Sequence, residues 1–147
     1  MDAIRSTVRA VARGAAALAF ATALPAGAAD APLYERLGGE PVVTRVVAQT
    51  IAQVAGDPKL NRSFEGVNLR KVNERLVEQI CAATGGGCRY TGEDMKTVHA
   101  GLDITEAEFI GMVVALRDAL TRNGVSDAAR DELLGLLAPM KPDIVTR

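Results

Sequence analysis

From Pro32 onward the apolar residues recur three and four apart, and no stretch alternates with the period of two that a half-buried strand requires. The pattern predicts an all-α domain. Leu33 to Leu37 reads as a short first helix stopped by Gly38-Gly39. Pro41 suits the first turn of a second helix, where its missing N–H would have no partner in any case. Val43, Val46, Val47, Ile51 and Val54 form the buried stripe of that helix, which ends at Gly56 before the turn Asp57-Pro58. An irregular stretch carrying Phe64 follows. Leu69, Val72, Leu76, Val77 and Ile80 then lay out a third, amphipathic helix, ended by Thr84-Gly85-Gly86-Gly87.

Beyond the glycine run, Cys88 to Gly92 reads as a loop, and a short helical pattern from Asp94 to Ala100 contains His99. Glycine breaks on either side of this loop would let its backbone approach a ligand closely. Thr105 with Glu108 three residues on is a capping box. It opens a helix whose stripe is Phe109, Met112, Val113, Leu116 and Leu120, closed by Asn123-Gly124. Ser126 caps a last helix that buries Leu133, Leu134 and Leu137, with Met140 and Ile144 beyond, its regularity limited by Pro139 and Pro142.

The first thirty residues change the picture of where the chain works. Arg5, Arg9 and Arg13 precede an apolar run from Gly14 to Leu24, then Pro25 and the small residues Ala26 to Ala29, the order of an export signal. The apolar run is shorter than the roughly 20 residues a helix needs to span a bilayer. The expectation is a signal peptide at 1–28 and a single domain at 31–147, delivered to the periplasm and without a membrane anchor after cleavage. Removing 1–28 takes away Asp2 and three arginines and moves the formal charge from −1 to −3, a poor balance for binding nucleic acid. Cys81 and Cys88 both lie in the exported part, where disulfides persist, so pairing is favoured over free thiols. A metal role remains open with His99 as a third donor, although the spacing matches no zinc pattern.

His99 is the chain's single histidine. A lone histidine beside Met95 and Val98 fits a structural core residue as well as a ligand, and periodicity does not choose. The choice comes from a family pattern: Leu33-Tyr34-Glu35-Arg36-Leu37-Gly38-Gly39, the turn Asp57-Pro58, Phe64-x-Gly66, Tyr90-Thr91-Gly92-x-x-Met95-Lys96-x-x-His99-x-Gly101, Gly124-Val125 and Leu136-Leu137-Ala138-Pro139. In order and spacing this resembles the group I truncated haemoglobins across nearly all of the exported part. The resemblance implies a two-over-two sandwich of helices around one haem b, with His99 as the proximal iron ligand, imidazole being a usual donor to haem iron. It places Phe64 on the porphyrin face, Met95 and Val98 on the proximal side, and Arg75 at a propionate, with Arg89 and Lys96 as weaker partners for the second. A subset of exported family members carries a cysteine pair, which fits a structural bridge here. A redox switch is the competing reading. The Cys-x-x-Cys-His of covalent haem attachment is absent.

The departures bear on function. Well-studied family members hold dioxygen with a tyrosine on the second helix and a glutamine on the third, and this chain aligns Ile51 and Leu76 there, with Val72 and Ile80 completing an apolar distal wall. Thr50, Asn73 or Gln79 would supply a polar group only if the helices were slightly rotated. The resemblance therefore implies a protein that reversibly binds diatomic gases (dioxygen, nitric oxide, carbon monoxide) for carriage or sensing, discriminating poorly in favour of dioxygen. Nitric oxide dioxygenation or peroxidase-like chemistry is the alternative, and it lacks a visible distal acid or base.

Overall fold

The structure is a computed structural model describing residues 31–147, so the expected signal peptide lies outside the described residues. The helices are α1 (Leu33–Arg36), α2 (Gly39–Gly56), α3 (Leu69–Ala83), α4 (Met95–His99), α5 (Glu106–Arg122), α6 (Asp127–Leu137) and α7 (Lys141–Ile144), with 3-10 turns at Asn61–Phe64 and Ala138–Met140. Extended pairing among the described residues is confined to one parallel bridge between Ile104 and Val145.

Local chemistry sets these boundaries. Gly38 turns the chain between α1 and α2 at φ 98°, and a Cβ there would strike Val42, so the position needs glycine for both conformation and space. The side chains of Asn68, Asp94, Thr105 and Ser126 accept the hydrogen bonds that begin α3, α4, α5 and α6. The capping box of Thr105 and Glu108 is present with both of its bonds, as expected from the sequence.

α2 packs against both α3 and α5, and α6 lies on α5 and α1, giving two helix pairs stacked one over the other. The core between them consists of Val46, Val47 and Ile51 from α2, Leu116, Ala119 and Leu120 from α5, and Leu133 from α6. The predicted α5 stripe is divided. Its C-terminal half enters this core, whereas Phe109, Met112 and Val113 remain partly exposed along the wall of an internal cavity. α3 divides in the same way: Ile80 and Cys81 are buried among helices, while Val72 and Leu76 face the cavity. α1 is tied to the end of α3 by Tyr34 N donating to the Thr84 carbonyl (2.9 Å), and to α6 by the ion pair of Arg36 with Glu132 (2.6 Å).

Candidate functional site

The cavity has a volume of about 680 Å³ and lies between α3 on one side and α4 with the C-terminal segment on the other. Its walls are largely aliphatic and aromatic. Of the residues singled out from the sequence, Ile51, Phe64, Val72, Arg75, Leu76, Met95, Val98 and His99 line it together. Ile80 does not, and that expectation is corrected: it is 1% exposed and packs in the helical core, because one residue along a helix turns the side chain by about 100°. Gln79, its neighbour, takes the place on the wall.

His99 ends α4, a helix of five residues whose N-cap, Asp94, accepts from both the backbone N and the hydroxyl of Thr97 (2.9 and 2.8 Å). Those two bonds, the backbone one foremost, hold the Asp94 carboxyl below its ordinary range. One turn back along α4, the Met95 carbonyl lies 2.8 Å from His99 Nδ1. A carbonyl only accepts, so Nδ1 carries the proton and Nε2 keeps its lone pair for a ligand.

The polar residues considered as distal donors separate clearly. Thr50 is fully buried and donates to the Val46 carbonyl within its own helix (2.8 Å). Asn73 points to the other face of α3, into a smaller groove against Thr44 and Ala48, and donates to the Leu69 carbonyl (2.8 Å). Gln79 lines the cavity, with its amide nitrogen 3.3 Å from the Met95 sulfur and 3.4 Å from the Met140 sulfur.

Charge collects at one edge of the cavity. Arg75 donates to Glu78 Oε2 (2.8 Å) and to the Thr91 hydroxyl, and Glu78 accepts from Thr91 as well. Arg75 is the first cause of the lowered Glu78 pKa. Lys71, one turn earlier on α3, also lines the cavity, whereas Arg89 and Lys96 are exposed away from its lining. Sequence reasoning missed Lys71, and the signal available was its i, i+4 spacing to Arg75.

Cys81 and Cys88 form a disulfide with their Cα atoms 5.6 Å apart, so neither sulfur is free as a metal ligand. The bridge joins the end of α3 to the loop that carries Thr91. Of the glycines flanking this loop, Gly92 lines the cavity, whereas Gly86 serves the protein's own packing. A Cβ on Gly86 would come within 2.5 Å of the Cys81 sulfur and 2.7 Å of the Tyr34 ring.

On the far edge, Arg62 and Glu108 form a bidentate pair with both contacts at 3.0 Å. Nothing in the sequence announced it, since the partners are 46 residues apart.

Comparison with known proteins agrees with this architecture. Residues 32–146 match the bacterial-like globin family. The chain is 40% identical over 120 residues to the group 1 truncated haemoglobin GlbN of Mycolicibacterium paratuberculosis, covering 81% of this chain and 88% of that protein. Among solved structures, the Tetrahymena pyriformis truncated haemoglobin in its Fe(III) form superposes with a TM-score of 0.75 at 22% identity, over 80% of this chain and all of that one. The Synechococcus 2/2 haemoglobin, in the cyanomet state with covalently attached haem, gives a TM-score of 0.73 at 26% identity over the same shares. With a family match spanning nearly every described residue and the two stacked helix pairs in place, the chain belongs to the bacterial-like globins and, within them, to the group 1 truncated haemoglobins.

Proposed function

We propose that this chain binds diatomic gases reversibly at a haem whose iron is held by His99. Truncated haemoglobins bind haem, and the residues present fit it. The cavity volume of about 680 Å³ falls within the roughly 300–1,000 Å³ usual for cofactor sites. Its flat sides are apolar, and the guanidinium of Arg75 and ammonium of Lys71 stand at one edge, where carboxylates such as the propionates would find cations. When bound, haem supplies an iron with one position left open for a small gas molecule.

The observation that carries the assignment is the 2.8 Å approach of His99 Nδ1 to the Met95 carbonyl. With Nδ1–H directed at the Met95 carbonyl, Nε2 is the one strong neutral nitrogen donor that the lining offers. The acceptor behind the ring is a carbonyl and not a carboxylate, so the imidazole gains little anionic character, which favours reversible binding over peroxide cleavage. On the opposite wall Ile51, Val72 and Leu76 exclude water and offer no donor. Gas binding with weak preference for dioxygen follows from those three side chains, the Gln79 amide on the same helix as Val72 and Leu76 being turned to the Met95 and Met140 sulfurs. Nitric oxide dioxygenation would need firmly held dioxygen, and peroxidase-like turnover would need a base among those same side chains. The charged, apolar and small-residue segments at the N-terminus support export to the periplasm, with the domain at 31–147 as the working part.

The test is the visible spectrum of the purified chain. The ferrous protein should be five-coordinate, and His99→Ala should abolish that spectrum. An unchanged spectrum in the variant overturns the ligand assignment.

A further inference from the structure

Arg62 has no part in the reading above, yet it joins three segments around one edge of the cavity. Its Nε and Nη2 meet the two oxygens of Glu108 at 3.0 Å each, and Nη1 and Nη2 donate to the carbonyls of Leu102 and Asp103 at 2.9 Å each. Arg62 stands in the 3-10 turn that also carries Phe64 on the cavity wall. Glu108 stands in the first turn of α5, just before Phe109 and Met112. Leu102 and Asp103 belong to the turn that leaves His99, since Leu102 N donates to the His99 carbonyl at 3.1 Å.

That turn is held in an unfavourable shape. Asp103 has φ 48°, the one non-glycine residue in the left-handed region among the described residues. Glu108 completes the hub by accepting from the backbone N and hydroxyl of Thr105 at 2.8 and 2.9 Å. Its carboxyl is pushed down to about 2, with the Arg62 hydrogen bond the largest cause. Exposed ion pairs are ordinarily weak, but a bidentate pair that also grips two carbonyls is the geometry in which they are not.

α4 is too short to fix its own axis, since isolated helices need on the order of 12–15 residues to persist. Its orientation depends on its packing against α7 and on what holds its two ends. Asp94 holds the first, and the turn from Ala100 to Thr105 holds the second.

We propose that Arg62 is a positioning residue for the proximal histidine: by fixing the Leu102 and Asp103 carbonyls to Glu108, it sets the tilt of the His99 imidazole toward the haem iron. The proposal rests on His99 being the ligand. A lysine could keep the charge at this position but not the planar fork that reaches a carboxylate and two carbonyls at once.

The experiment uses the haem-loaded ferrous protein and two readouts, the iron–histidine stretching band in resonance Raman and the rate of haem transfer to excess apomyoglobin. Arg62→Met should shift or broaden the band and accelerate transfer by roughly tenfold, as expected from losing one or two net hydrogen bonds. Arg62→Lys should recover most of the retention without recovering the band. If every variant keeps the parent band while losing haem faster, Arg62 is an ordinary ion pair and the proposal is overturned. A parent protein without an iron–histidine band would instead remove the ligand assignment itself. Should Arg62→Met fail to fold, Arg62→Lys and Glu108→Gln decide in its place, a moved band supporting the proposal and an unmoved one refuting it.

Discussion

The most informative perturbation of the cavity is Leu76→Gln. Leu76 is partly buried on the face of α3 that lines the cavity, one turn beyond Val72, so an amide there would project into the space above the haem. Val72 and the 1%-exposed Ile51 beside it offer no competing partner, and the Gln79 amide one turn on is directed at the Met95 and Met140 sulfurs. Dioxygen takes up partial negative charge on binding, and a hydrogen bond to a charged group contributes about 1.5–3 kcal/mol. At about 1.4 kcal/mol per decade, dioxygen dissociation should slow by roughly ten- to a hundredfold or more. Carbon monoxide takes up little charge and serves as the internal control, its dissociation changing by less than about threefold on the same scale. Ile51→Tyr probes the same wall less cleanly, because overpacking a filled core costs about 1–3 kcal/mol by itself. Flash photolysis and stopped-flow displacement give the rates for parent and variant. A dioxygen rate within twofold of the parent would refute the reasoning, and equal slowing of both gases would replace the hydrogen bond with a steric barrier.

Two further outcomes concern stability. The Glu108 carboxyl, near 2 in the fold against an ordinary 4.5, contributes stability that is fully present above the ordinary value and lost as pH falls through the folded one. After solvent screening, Glu108→Gln should cost about 1–2 kcal/mol at neutral pH. Urea unfolding at a series of pH values should show the gap to the parent narrowing from pH 4.5 downward, whereas a constant gap would remove the ion pair as its cause. Cys88→Ser should lower stability by about 2 kcal/mol through the freed loop. A dithiol reductant acting on the parent should reproduce the loss, and identical urea midpoints would contradict the bridge.

Much of this molecule was legible before any coordinates. Caps such as Thr105 with Glu108 and stops such as Asn123-Gly124 are local signals, and the helices follow them closely. The placement of His99 and Phe64 on one cavity came from the family pattern, not from periodicity. What periodicity lacks is knowledge of what a face looks toward. Phe109 and Met112 read as core, like Leu116 and Leu120, although the first pair lines the cavity, Leu120 is sealed in the core and Leu116 is buried where the two meet. The family alignment puts Ile80 on the wall and lets Gln79 reach it only by rotation, and geometry reverses them. The Arg62 contacts could not be read at all, because ion pairs between distant segments leave no trace in local spacing.

The division of the α3 and α5 stripes has a consequence for how such a protein can change over generations. Residues such as Val47, Ala119 and Leu133 keep the chain folded and tolerate little, since each is sealed among neighbours. Val72, Leu76 and Met112 rest on that core at its edge and also face the cavity. Under the proposed gas-binding function, preference for one gas over another would drift through a few substitutions on one wall while most of the scaffold beneath stays as it is.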